Sequence, residues 1–149
     1  MSRKRCNRQR VIALPPRGLR PKLDAGQRRD LSLAHIANLD TICHGHADEG
    51  VLWQVVGGVL TWAKVAEVLG QGIEEMTRQV DLVQQLVDRF GRHGRVGFTG
   101  PEYQLAKEGV IVMDLLAEIV DRPTAIAAAE WSERRVEAMS AQCAQKEAA

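Results

Sequence analysis

The sequence predicts an all-α fold: a compact bundle of four to five antiparallel helices behind a disordered basic N-terminal arm. Three observations lead there. Apolar residues recur at helical spacing through most of the chain. No stretch alternates apolar and polar as a half-buried strand would. Charge is sharply divided: residues 1–29 hold ten Lys/Arg and one acid, Asp24, for a net +9. The whole 149-residue chain is only +1, so the other 120 residues carry −8. At this length one domain is expected, and it can bury roughly two-thirds of its surface. The expected division is an arm over 1–22 and a helical bundle over 23–145.

The arm contains Arg3, Lys4, Arg5, Arg8, Arg10, Arg17, Arg20 and Lys22 and no acid. Pro15, Pro16 and Pro21 argue against a continuous helix there and favour an extended connection to the body.

Helix one is expected from about Ala25 to Cys43, with Leu31, Ile36, Leu39 and Ile42 as its inner stripe and His35 among them. Helix two is expected from about Asp48 to Leu69. Its apolar residues, including Trp53 and Trp62 on roughly opposite faces, cover most of its circumference. Such a helix is central in its domain or lies in an interface. Gly57-Gly58 in its middle costs about 1 kcal/mol of helix propensity per glycine, so a close neighbour or a kink is expected.

Helix three, about Ile73 to Phe90, has the clearest two-faced pattern. Ile73, Met76, Val80, Val83, Val87 and Phe90 oppose Arg78, Asp81, Gln85 and Asp88. Helix four starts near Thr99-Gly100-Pro101-Glu102, with proline in the first turn and an acid beside it. It carries the densest apolar run, Val110 to Val120, and Arg122-Pro123 ends it. Helix five begins near Thr124 as N-cap and is expected to fray past Gln142. Connections are short, so sequential helices should pack antiparallel.

Composition excludes several classes. Cys6, Cys43 and Cys143 are far apart, odd in number and form no CxxC, which argues against a disulfide framework or zinc ribbon. Val11-Ile12-Ala13-Leu14 is too short for a signal-peptide core. No apolar run approaches the ~20 residues of a membrane span. A cytoplasmic protein without membrane attachment is expected.

Five constellations could carry function. The basic arm suits nucleic-acid phosphates, in contacts that are mostly sequence-independent and weaken with salt. It also suits a solubilising tail, or one that binds an acidic protein such as the body of another copy. The loop Gly91 to Gly100 has glycine at every third position, with Arg92, His93 and Arg95 beside a helix start. It could hold a small anion, or it is an interhelical loop with Phe98 tucked into the core. Trp62 to Ile73 has the small-residue spacing of a helix-turn-helix, although Glu74 and Glu75 would open the recognition helix with charge that phosphate repels. His44-Gly45-His46-Ala47-Asp48 offers two imidazoles and a carboxylate, too few for zinc by themselves. A polar loop with Asp48 capping helix two is the alternative. Glu108 falls inside the apolar arc of helix four and must find a partner, such as an arginine, or shift its pKa upward. No metal site, cofactor or catalytic set is expected.

The stretches Gly94–Lys107 and Asp121–Trp131 resemble small uncharacterised helical proteins of bacterial phages and other mobile elements. The likeness extends over most of residues 20–140. It implies a bacterial cytoplasmic setting and an accessory or regulatory role, and it carries no active site. The expected function is therefore non-enzymatic binding. The bundle would be a protein-interaction or self-association module, with Trp53 and Trp62 at the interface, and the arm would contact nucleic acid. The alternatives are a helix-turn-helix regulator and a small-anion or ligand-binding domain using the Gly91–Gly100 loop.

Overall fold

The structure is a computed structural model, and it describes residues 16–147, apart from the side chains of Arg17, Lys146 and Glu147. A 3-10 turn, Arg17–Leu19, precedes five helices: α1 Ala25–Cys43, α2 Glu49–Leu69, α3 Ile73–His93, α4 Gly100–Ile119 and α5 Arg122–Glu147. The all-α bundle is as the sequence predicts.

Four of the five helix starts pair otherwise unsatisfied backbone N–H groups with a side chain; α3, which follows Gly72, does not. Asp24 and Gln27 form a reciprocal capping box at α1. Asp48 accepts from Val51 N at 2.9 Å at the start of α2. Thr99 and Glu102 form a second box at α4, with Pro101 in the first turn. Each cap of this kind contributes about 1 kcal/mol. At α5 the cap is Asp121 rather than Thr124. Its carboxylate accepts Thr124 N at 2.9 Å and Thr124 Oγ1 at 2.9 Å. Arg122-Pro123 therefore opens α5, and α4 has already ended at Ile119. Proline fits there because first-turn N–H groups have no helical partner. Gly70 and Gly94 close α2 and α3 in the left-handed region, at φ +69° and +63°. The end of α5 stays helical to Glu147 where fraying was expected. Its Ala, Gln, Lys and Glu residues are strong helix formers.

The first four helices form a ring in which α1 packs on α2, α2 on α3, α3 on α4 and α4 on α1. The Ser32–Asp114 hydrogen bond at 3.1 Å and the Arg28–Glu118 pair at 3.9 Å set α1 antiparallel to α4. Between the four helices lies a cavity of about 20 Å³, bounded by His35, Val55, Gln79 and Met113. That is room for one water.

Helix α5 departs from the expected order. It lies outside the ring and packs on α2, not on its chain neighbour α4. Val120 is extended (φ −69°, ψ 142°), which turns the chain away from the axis of α4. Thr61 meets Ser132 at 2.7 Å, and Lys64 stands over the Trp131 ring at 5.5 Å, so α5 runs antiparallel to α2. Helix α2 thus has the ring on one side and α5 on the other. This explains its apolar circumference and the complete burial of Leu52, Val56, Val65 and Ala66. Each large aliphatic side chain so buried contributes about 1.5–3 kcal/mol.

The Gly57-Gly58 pair admits two neighbours at once. A Cβ on Gly57 would meet Val136 of α5 at 3.6 Å, an ordinary contact. A Cβ on Gly58 would lie 2.8 Å from the His35 ring of α1, a clash.

The inner stripe expected of α1 is half right. Leu39 and Ile42 are buried, whereas Leu31 and Ile36 are exposed. Ser32 and His35 occupy the centre of the inner face, which places those two aliphatic residues on its flanks.

Candidate functional site

The chain enters the bundle at the α4–α5 junction, and Asp121 is the hub. Its buried carboxylate lies 3.9 Å from Arg20 while capping α5. Lys22 makes an isolated antiparallel bridge with Asp121, and Arg122 N donates to Pro21 O at 2.7 Å. Residues 20–22 therefore belong to the body, and the expected arm boundary at 22 moves toward the N-terminus. The reason is that Asp121, buried and acidic, needs a cation, and Arg20 supplies it. Of the other basic residues assigned to nucleic acid, Arg3, Lys4, Arg5, Arg8 and Arg10 lie outside the described residues. Arg17 opens the 3-10 turn. Around the entry point, Arg20 and Lys64 line a hollow against the start of α5, and Lys22 and Arg122 are exposed beside it.

The Gly91–Gly100 loop does not gather an anion site. Arg92 and His93 belong to the last turn of α3, and Arg92, His93 and Arg95 are all exposed. Arg92 Nε donates back to Asp88 O at 3.2 Å. The anion at the start of α4 is the protein's own Glu102. It accepts Thr99 N at 2.7 Å and the Arg89 guanidinium at 2.5 and 3.1 Å. Arg89 also donates to Gly97 O at 2.6 Å, which ties the loop down. Hydrogen bonding from Arg89 holds the Glu102 carboxyl below the ordinary carboxylate range, against the opposing effect of burial. Phe98 packs against the core, as the loop reading expects.

Trp62 is 3% exposed, so the bundle itself covers it and it is not an interface residue. Its indole N–H donates to His35 Nε2 at 3.0 Å. The acceptor role at Nε2 places the proton of the neutral ring on Nδ1. Burial lowers the His35 pKa, and Asp114 partly opposes this. Trp53 is half-buried beside α5, with its indole N–H donated to Glu49 at 3.0 Å. It borders a groove of about 550 Å³ between α1 and α5, floored by Gly57 and Gly58 and edged by Glu133 and Glu137. Those carboxylates make the groove unsuited to phosphate.

Helix α3 lies lengthwise in the bundle, with Met76, Gln79, Leu82, Val83, Leu86 and Val87 buried. It opens with Glu74 and Glu75. Neither feature suits a recognition helix entering a DNA groove. Gln79 is inside because its amide donates to Leu105 O at 2.8 Å across α4. His44 caps α1 with Nδ1 near Asp40 O at 2.8 Å, and Asp48 caps α2. Among the described residues no three His, Cys, Asp or Glu side chains converge as a metal site.

Glu108 is exposed, so no buried partner is required of it. It heads a row on the outer face of α4 that the sequence reading placed inside: Ile111, Leu115 and Ile119 are 62%, 58% and 39% exposed. Leu33 and Ile36 on the neighbouring face of α1 are 56% and 51% exposed. The antiparallel register of α1 and α4 sets Ile36 level with Val110 and Ile111. Burial, rather than sequence, reveals this surface, because the apolar arc of α4 is wider than the core it meets.

Among the described residues one helix, α2, is long and apolar enough to cross a membrane, and it is the one enclosed by the ring and α5. No protein-family model, no curated protein and no solved structure matches the chain.

Proposed function

We propose that the protein is a non-enzymatic accessory binding module. The bundle is a protein-interaction scaffold, and the basic N-terminal residues attract nucleic acid without reading its sequence. The observation that carries the interaction half is the aliphatic surface of Leu33, Ile36, Ile111, Leu115 and Ile119 on α1 and α4. Contiguous exposed apolar surface of this kind marks association sites. The nucleic-acid half rests on charge. Arg3, Lys4, Arg5, Arg8, Arg10 and Arg17 precede the entry point without one acid among them. Arg20, Lys22, Lys64 and Arg122 surround that point, so the basic character continues onto the folded surface. The groove edged by Glu133 and Glu137 is separate from it.

The resemblance of Gly94–Lys107 and Asp121–Trp131 to small phage and mobile-element proteins supports a regulatory role in a bacterial cytoplasm. The test is binding of a short duplex DNA and a short RNA at low salt. The full chain is compared with one in which Arg3, Lys4, Arg5, Arg8 and Arg10 are replaced by Gln. The proposal expects binding by the first and most of it lost in the second. Equal binding by both would remove the nucleic-acid half.

A further inference from the structure

We infer that the chain's own N-terminal residues 3–14 dock along the outer face of α5, with their bases on Glu133 and Glu137, and that nucleic acid binds by displacing them. The inference deepens the nucleic-acid half of the proposed function and rests on it. It starts from a row of residues on α5. Ile126, Glu130, Glu133 and Glu137 follow one another at helical spacing, so they form one stripe. All four are exposed. Among the described residues none of the three carboxylates is in an ion pair. Arg134 stands one turn from Glu130 and Glu137 and is bonded to neither. Glu133 and Glu137 are four residues apart on a helix and repel each other. They edge the groove between α1 and α5, which no Lys or Arg lines. A cationic segment is what this face lacks.

The chain carries one. Arg3, Lys4, Arg5, Arg8 and Arg10 are followed by the apolar Val11–Leu14 and then by Pro15 and Pro16; residues 1–15 lie outside the described residues. The point at which the segment leaves the body is fixed. Leu19 N donates to Pro16 O at 2.9 Å, and Arg20 lies 3.9 Å from Asp121, the cap of α5. Pro16 is therefore held within a short turn of the start of α5. At the helical rise, Ile126, Glu133 and Glu137 stand about 8, 18 and 24 Å along α5 from Asp121. Counting back from Pro16 along an extended chain, Leu14 falls at about 7 Å, Arg10 at about 20 Å and Arg8 at about 26 Å. An apolar residue meets Ile126 and two bases meet two acids, in the same order. Arg20 sits beside Lys64 and Ala127, on the flank of α5 opposite the groove, so the path from Pro16 to the groove crosses this stripe. Exposed ion pairs are individually weak, but the tether gives the segment a high effective concentration at α5. The bases so engaged are the ones that would meet phosphate, so docking lowers the affinity for nucleic acid.

The experiment places a nitroxide on Cys6 of the full chain carrying Cys43→Ser and Cys143→Ala, and reads the broadening of backbone amide resonances. Amides from Ile126 to Glu137 should broaden, and Glu133→Gln with Glu137→Gln should remove the effect. The same pair of substitutions should raise duplex DNA affinity at low salt roughly threefold to tenfold. Asp81→Asn with Glu108→Gln removes two exposed carboxylates from α3 and α4. This control should keep the broadening and raise affinity less. A parent that binds DNA without broadening along α5 would overturn the inference and leave the proposed function standing. Equal affinity gains from the two pairs would overturn the competition. Broadening seen only when labelled and unlabelled chains are mixed would put the segment on a second copy and overturn docking within one chain. Broadening in a chain that binds no DNA would keep the contact but overturn the competition together with the nucleic-acid half of the proposed function.

Discussion

The indole N–H of Trp62 donates to Nε2 of His35 across the α1–α2 contact, and the ring of His35 lies over Gly58. This bond requires a neutral imidazole. A proton on Nε2 would face the indole N–H and break it. Burial lowers the folded-state pKa of His35 below its usual 6.5. The unfolded chain therefore binds the proton more readily, and stability falls with acidification. The contribution is complete above about pH 6.5 and declines as pH drops toward the folded pKa. Urea unfolding at pH 5 and pH 7.5 should show lower stability at pH 5. The difference should shrink in His35→Gln.

Adjacent glycines on α2 should respond with opposite sign. Gly57→Ala gains helix propensity of up to about 1 kcal/mol, and its Cβ meets Val136 at an ordinary distance. Gly58→Ala drives a Cβ into the His35 ring and should cost about 1–3 kcal/mol. Gly109→Ala on α4 should be at least as costly, because its Cβ would overlap the Gln79 amide that holds Leu105 O. Denaturant midpoints of the three variants check this.

Glu102→Gln should destabilise the protein by about 1.5–3 kcal/mol at pH 7, since it weakens a charge-assisted bond to Arg89. The folded pKa of Glu102 is depressed, so its contribution is present above the ordinary carboxyl pKa. It is lost as pH falls through the folded value. The penalty of the substitution should therefore fade toward pH 3.

Asp121→Ala should cost about 3 kcal/mol. It removes the cap of α5 and the buried carboxylate that pairs with Arg20. Backbone amides near the entry point should exchange faster with solvent. Native-state hydrogen exchange at Leu19, Lys22 and Leu23 measures that loosening.

Much of the fold was legible in the residues. The Thr99–Glu102 box and Asp48 announced their helices because capping is a local matter. The apolar circumference of α2 announced a central helix, which it is. Other features depend on what the residues meet in space. Thr124 reads as a cap by type, yet Asp121, three residues earlier, makes the bonds. Leu31 and Ile36 share helical spacing with Leu39, but Ser32 and His35 take the inner face through partners on α4 and α2. Trp62 reads as surplus apolar surface until His35 provides an acceptor for its N–H. Arg89 gave no signal by itself, since its role exists only where Gly97 and Glu102 approach it. The outer row on α4 is visible in the sequence as apolar residues, but periodicity shows that a face is apolar and not which way it points.

The proposed function turns on attraction of nucleic acid through charge at the N-terminus. The most direct measurement is the salt dependence of duplex DNA affinity for the full chain. If Arg3, Lys4, Arg5, Arg8 and Arg10 neutralise phosphates, log K should fall against log salt with a slope near −4 to −5, about 0.9 per contact. Replacing all five by Gln should make the slope shallower by about that amount. A flat dependence in the parent, or the same slope in both proteins, would contradict the claim.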